Sequence, residues 1–284
     1  MSAHEDLKLM CKKDMVVKRN LIKRQAGILC LLGWKLAVAG AETRLIMQTI
    51  EQLCTHFGLE KPEIILTRSV IWIEVRNEHM RADAQRRIEN FGINMASVSE
   101  LNLLVLSVLR GEVEDLGELA SRINAVKPLH YGTWKLTVIE SIASLCFAFL
   151  NGGDAAVCIA ALLGGFVLMA VRFCMIKKGF FAPFAFIAAA FAGCTTTLLV
   201  SKYALFANAQ EIKLSIMATT LLLVPGYPYM NGFLDVFKGY LETGFYRLMN
   251  SVVLTMAAGI GLFGALWIST GRRRQRQARQ HSES

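Results

Sequence analysis

Between Trp134 and Ser269 the chain is a succession of long apolar runs with few ionisable residues, whereas the residues before Trp134 mix charged and apolar side chains. A helix needs roughly 20 predominantly apolar residues to cross the hydrocarbon core of a bilayer. Backbone in that medium must satisfy its own N–H and C=O groups, so runs of this kind fold as membrane helices. Composition agrees, because 54% hydrophobic residues, 19% charged residues and a mean hydropathy of +0.42 over 284 residues are too apolar for an ordinary soluble domain. The expected fold is a membrane protein: an N-terminal α+β domain over residues 1–130, an all-α bundle of about five transmembrane helices over 131–270, and a basic tail over 271–284.

The net charge of +9 does not point to nucleic acid. Before Trp134 there are 18 Lys and Arg against 16 Asp and Glu; after it there are 13 against 6, and much of that excess lies in "GRRRQRQARQHSES". A nucleic-acid binder spreads its basic residues over a folded face, so the partner expected here is the lipid bilayer, with lipid contact the only role expected of the tail. The N-terminal stretch "MSAHEDLKLMCKKDMVVKRNLIKRQ" has no apolar core of a signal peptide, so the first domain is expected to stay in the cytoplasm. The seven cysteines form no CxxC pair and no Cys/His ligand spacing. They are expected as reduced, small hydrophobic core residues, with no metal site, no disulfide and no cofactor.

Within the first domain, "AGILCLLGWKLAVAG" is too short to span and reads as a buried helix interrupted by Lys35, followed by an amphipathic helix "AETRLIMQTIEQLCTHFG". "EIILT" and "VIWIEV" alternate with period two and read as a strand pair, with Ile71, Ile73 and Val75 on one face. Ser97 and Glu100 have capping-box spacing ahead of "LNLLVLSVL", and Gly111 closes that helix before another at "EVEDLGELASRI". The spans are expected at 134–150, 155–175, 180–200, 213–237 and 245–269, with Arg172, Lys177 and Lys178 in a cytoplasmic loop.

The fourth span is interrupted. "LLLVPGYPYMNGFLDVFKG" places Pro225 and Pro228 around Gly226, then Asn231, Asp235 and Lys238 in an otherwise apolar stretch. Both prolines are expected to obstruct helical bonding one turn back, which makes this helix discontinuous and requires that its freed carbonyls be enclosed or face a water-filled cavity. The spacing of Asn231, Asp235 and Lys238 puts them on one helical face. There they either pair within the protein, are hydrated in a loop, or line a solute or ion path, and the break upstream favours the path, since half-helix ends bind ions and carboxylates. Glu140 in the first span is a candidate for proton coupling or a partner of Lys135. Asn151 and Asp154 at "NGGD" suit a turn and a cap. No P-loop, nucleophile elbow or H-E-x-x-H motif is present, so no enzyme is expected and transport would run on a proton or ion gradient.

Three segments, "GAET" at 40–43, "GINM" at 92–95 and "LLLVPGYPYMNGFLDVFKG" at 221–239, together resemble the threonine/serine exporter family, in particular its YjjP-like branch. Members of that branch resemble one half of a two-subunit exporter linked to succinate. The resemblance implies a cytoplasmic domain followed by five spans, a separate small five-span membrane subunit, and a small carboxylate substrate such as succinate, threonine or serine. It also marks Glu42 and Asn94 as motif positions, which a helix start and a turn explain equally well. The alternative from another class is a membrane-anchored sensor or scaffold whose soluble domain binds a ligand.

Overall fold

The computed structural model describes residues 3–78, 80–89, 92–204 and 208–282, and side chains within 15–269. Its contacts divide the chain into two compact units: Met1–His130 with Asn231–Tyr246, and Tyr131–Met230 with Arg247–Ser284.

The first unit runs α1 (Ala3–Val38), α2 (Thr43–His56), β1 (Glu63–Leu66), β2 (Val70–Asn77), β3 (Met80–Arg87), α3 (Met95–Leu109) and α4 (Leu116–Ala125). Helix α1 is longer than its apolar run, which forms only the buried C-terminal half. Leu29, Leu32 and Leu36 recur there at helical spacing and pack with Ile46, Ile50 and Leu53 of α2 and Ile71 and Ile73 of β2 in one core. Lys35 interrupts that run because its Nζ donates to the carbonyls of Asn124 (3.1 Å) and Val126 (2.6 Å), at the end of α4. Strand β2 buries every second residue as its alternation predicts, and the sheet is an antiparallel β1-β2-β3 meander. Sequence pattern missed β3, "MRADAQRR", because an outer strand that buries only Ala82 carries no hydrophobic alternation. The capping box expected at Ser97 is also corrected: α3 begins two residues earlier, Asn94 is its cap, and the Ser97 amide donates to the Asn94 carboxamide oxygen at 3.0 Å.

Cys30 and Cys54 sit in this core, and burial pushes their thiols up to about 11 and about 12 respectively. Thiolate is the reactive form. Both are therefore expected to resist maleimide at pH 7.5 in the native protein and to react after denaturation; mass-spectrometric detection of label on either one before unfolding would contradict this packing.

The second unit contains α5 (Thr133–Leu150), α6 (Ala155–Lys177), α7 (Ala182–Leu199) continued by a π-helical turn (Val200–Ala204), α8 (Ala209–Leu221), the first turn of α9 (Gly226–Phe237), and α10 (Leu241–Ser282) from Arg247 on. Small residues make its contacts. A Cβ on Gly193 would press on Leu168 and the Gly164 carbonyl, and one on Gly261 would overlap the Ile187 carbonyl. Lipid removes the hydrophobic drive between helices, so close backbone approach takes its place. Large apolar side chains such as Phe149, Phe184, Phe263 and Trp267 point outward, as lipid-facing surfaces do.

Among the described residues, four helices are long and apolar enough to cross a membrane: Thr133–Leu150, Ala155–Lys177, Ala182–Tyr203 and Leu241–Ser269. The segment 213–237, expected as a further span, is divided between α8 and α9. Cys158 and Cys194 are buried, but Cys146 and Cys174 are exposed on their helices, so the expectation of core positions fails for these two. The lipid role expected of the Arg-rich tail falls on side chains outside those described; its backbone continues α10 to Ser282.

Candidate functional site

Of the three sequence segments that stand out, 40–43 and 92–95 meet the latter part, 231–238, of the third, 221–239, in the first unit. Helix α1 ends at Val38, and the chain reverses through Gly40 at φ +85°, a conformation that L side chains rarely adopt. A Cβ there would also overlap the Gly92 carbonyl oxygen. Alongside the reversal, the amide of Gly92 donates to the Val38 carbonyl (2.8 Å) and that of Asn94 to the Ala39 carbonyl (2.9 Å). The Asn94 side chain caps α3 with its oxygen and donates through Nδ2 to the Leu129 carbonyl at 3.1 Å.

Helix α2 begins at Thr43 with Glu42 in the cap position, yet Glu42 makes no capping bond. Its carboxylate is paired with Lys238. Asp235 takes over the cap from 192 positions away: the Thr43 amide donates to Oδ1 (3.2 Å) and the Thr43 hydroxyl to Oδ2 (3.0 Å). Thr43 and Asp235 are both fully buried. A carboxylate at a helix N-terminus meets unpaired amides and the positive end of the dipole, which is what makes a buried charge tolerable here. Asn231, one turn earlier on α9, donates to the Gly40 carbonyl at 3.2 Å.

The same segment is held further on. Gly239, at φ +86°, ends α9, and the Tyr240 amide returns to the Asp235 carbonyl at 2.8 Å. A Cβ on Gly244 would meet the Gly232 carbonyl and Val236 at 2.8 Å, so α9 and α10 touch backbone to backbone there. Thr243 donates to the Leu66 carbonyl (3.3 Å), and the Arg68 guanidinium lies 4.8 Å from the Tyr246 ring centre.

Asn231, Asp235 and Lys238 thus share a face, as their spacing predicts, and each is bonded to residues 40–43. Pro225 lies between α8 and α9, Gly226 is the first residue of α9, and short turn bonds from the amides of Leu223, Val224 and Gly226 close the interval. Pro228 falls in the first turn of α9, where no amide bond is required, so it starts a helix and does not break one, contrary to expectation. The Tyr229 hydroxyl is 3.2 Å from that of Thr255.

Glu140 is half-buried on α5 and faces the charge of Arg172 on α6; it forms no ion pair with Lys135 among the described residues. Asn151 ends α5, with Nδ2 on the Phe147 carbonyl, and Asp154 caps α6 by accepting from the Val157 amide at 2.9 Å. Among the described residues no group of three or more His, Cys, Asp or Glu could hold a metal. Sequence reasoning missed Thr43, whose role depends on an acid far along the chain, and the buried hydroxyls of Ser144, Thr197 and Thr219, which look like filler within apolar helices.

Residues 28–269 match the profile of the family described as "Putative threonine/serine exporter". The chain is 27% identical over 247 residues to an Escherichia coli protein named "Probable succinate transporter subunit YjjP", covering 87% of this chain and 95% of that one. It is also 27% identical over 227 residues to a Klebsiella aerogenes protein of the same name, covering 80% and 87%. A Haemophilus influenzae protein described as uncharacterized is 25% identical over 119 residues, 42% of this chain and 40% of its own. No solved structure matches the chain.

Proposed function

Because this chain belongs to the threonine/serine exporter family, a family of transporters and not of enzymes, we propose that it is one subunit of a bacterial inner-membrane exporter for a small carboxylate, succinate-like or threonine/serine-like. The subunit reading follows the names of the two relatives. In this proposal a separate small five-span subunit completes the transporter, the N-terminal domain is cytoplasmic, and a proton or ion gradient drives efflux.

The observation that carries the reading is the interval 222–225. Helices α8 and α9, of 13 and 12 residues, are each too short to cross a bilayer alone and are separated by Pro225. In this reading α8, the interval and the first turn of α9 form one further, discontinuous span, the fourth in chain order, and the break at Pro225 and Gly226 offers a solute polar backbone. Asn231, Asp235 and Lys238 hold the far end of α9 to residues 40–43 within the first unit.

Cells preloaded with labelled succinate or threonine, expressing this chain with a five-span partner under an imposed proton gradient, are expected to export at least one of them, and to lose export when either gene is omitted. Retention of both solutes with both proteins in the membrane would contradict the exporter and favour a membrane-anchored sensor.

A further inference from the structure

Ser144 Oγ on α5 and Arg172 Nε on α6, on neighbouring helices of the second unit, are both buried without a hydrogen-bond partner among the described residues. Buried donors left unpaired cost about 1–3 kcal/mol each, more when charged, so each calls for an explanation. We propose that Arg172 and Ser144 form an anion site that takes a carboxylate of the transported solute; this rests on the exporter reading above and assigns its binding residues.

The helices place the two groups together. The turn at 151–154 joins α5 to α6, and Ser144 lies against Gly165: a Cβ on that glycine would meet Ser144 Cβ at 2.8 Å and Oγ at 3.1 Å. Arg172 is seven residues beyond Gly165, two turns on the same face. Helical side chains lean toward the N-terminus, and the Arg172 guanidinium does so, with Nη1 3.7 Å from the Met169 sulfur. That turns its head group back along α6 toward Gly165 and Ser144, leaving a gap for a small anion to bridge. A carboxylate accepts from both a guanidinium and a hydroxyl across such a gap.

The present partners of Arg172 are soft: the Met169 sulfur and the Phe186 and Phe173 rings, whose centres are 4.9 Å and 5.7 Å from the guanidinium carbon. Glu140, one turn before Ser144 on α5, is within electrostatic reach of Arg172 but forms no ion pair with it among the described residues, which leaves the guanidinium open to a bound carboxylate. Arg172, expected in a loop, lies instead within the apolar helix α6, where a cation is costly unless it has a partner, and here the strong acceptor is the ligand. Gly164, next to Gly165, packs directly against the Thr197 and Thr219 hydroxyls, which lie 3.0 Å apart and are fully buried, so polar groups continue from this contact to α7 and α8.

The test is equilibrium dialysis of the purified full-length chain in phosphatidylcholine nanodiscs against labelled succinate and threonine, with carboxylate-free threoninol as competitor. The wild-type chain is expected to bind at least one acid, and threoninol to leave that binding intact. Arg172→Gln is expected to weaken binding by about tenfold or more, Ser144→Ala by roughly three- to tenfold, and Lys178→Gln not at all. Ser144→Ala removes only a hydroxyl, so it decides the matter should Arg172→Gln assemble poorly. Absence of wild-type binding, affinity unchanged within twofold in both variants, or binding abolished by phosphatidylglycerol, which would mark a lipid-headgroup site, each overturns the proposal. The exporter reading is tested separately. Variants that export as well as wild type refute this site alone, whereas wild-type chain and partner that export neither solute refute the exporter while the dialysis still judges the anion site.

Discussion

Replacing Asp235 with alanine is expected to lower the unfolding free energy of the protein by about 3 kcal/mol. The carboxylate is fully buried and accepts from the amide and the hydroxyl of Thr43. Truncation leaves both donors without an acceptor at the start of a helix whose own cap residue, Glu42, makes no capping bond. Hydrogen bonds to a charged group contribute about 1.5–3 kcal/mol, and water cannot replace them at a site with no exposure. Asp235→Asn keeps one oxygen and is expected to lose about half as much. Denaturant titration in mixed micelles measures both. Equal stability of wild type and Asp235→Ala would mean that the two segments do not meet.

A comparable loss, about 3 kcal/mol, is expected for Gly40→Ala. A residue with a side chain held at positive φ costs of order 1 kcal/mol or more, and the added methyl would overlap the Gly92 carbonyl oxygen, which belongs to backbone and cannot swing aside. Relief requires the 38–40 reversal to part from residues 92–94, with loss of the two amide bonds between them. Gly58→Ala is the control, since Gly58 also has positive φ (+69°) but nothing lies within 4 Å of its added Cβ. It is expected to lose only the conformational part, about 1 kcal/mol. Equal losses at the two positions would show that the contact with Gly92 is absent.

Much of the architecture is legible in the sequence because burial imposes periodicity. The alternation of β2 and the 3–4 spacing of Ile46, Ile50 and Leu53 are one-dimensional records of a one-sided environment. Strand β3 leaves no such record, since its side chains are mostly solvated and its place is fixed by pairing with β2. The common face of Asn231, Asp235 and Lys238 is likewise readable from spacing. Their partners are not, because nothing local in "GAET" says that its threonine needs an acid 192 residues later. The prolines illustrate the same limit. Pro225 and Pro228 look equivalent on paper, but only position relative to a helix start decides that one interrupts and the other initiates. In the membrane unit, Ser144 and Thr197 sit within apolar words, and only the packing of four helices brings hydroxyls to the Gly164–Gly165 pair.

In the first unit, the contact between α9 and the start of α2 joins residues 40–43 to 231–238. A double-mutant cycle between Thr43→Val and Asp235→Ala, read as unfolding free energies of the full-length protein, tests it most directly. A coupling of about 1–2 kcal/mol is predicted, because either substitution alone already removes the hydroxyl–carboxylate bond. Losses that add to within about 0.3 kcal/mol would show that the two side chains do not interact, and would contradict the account.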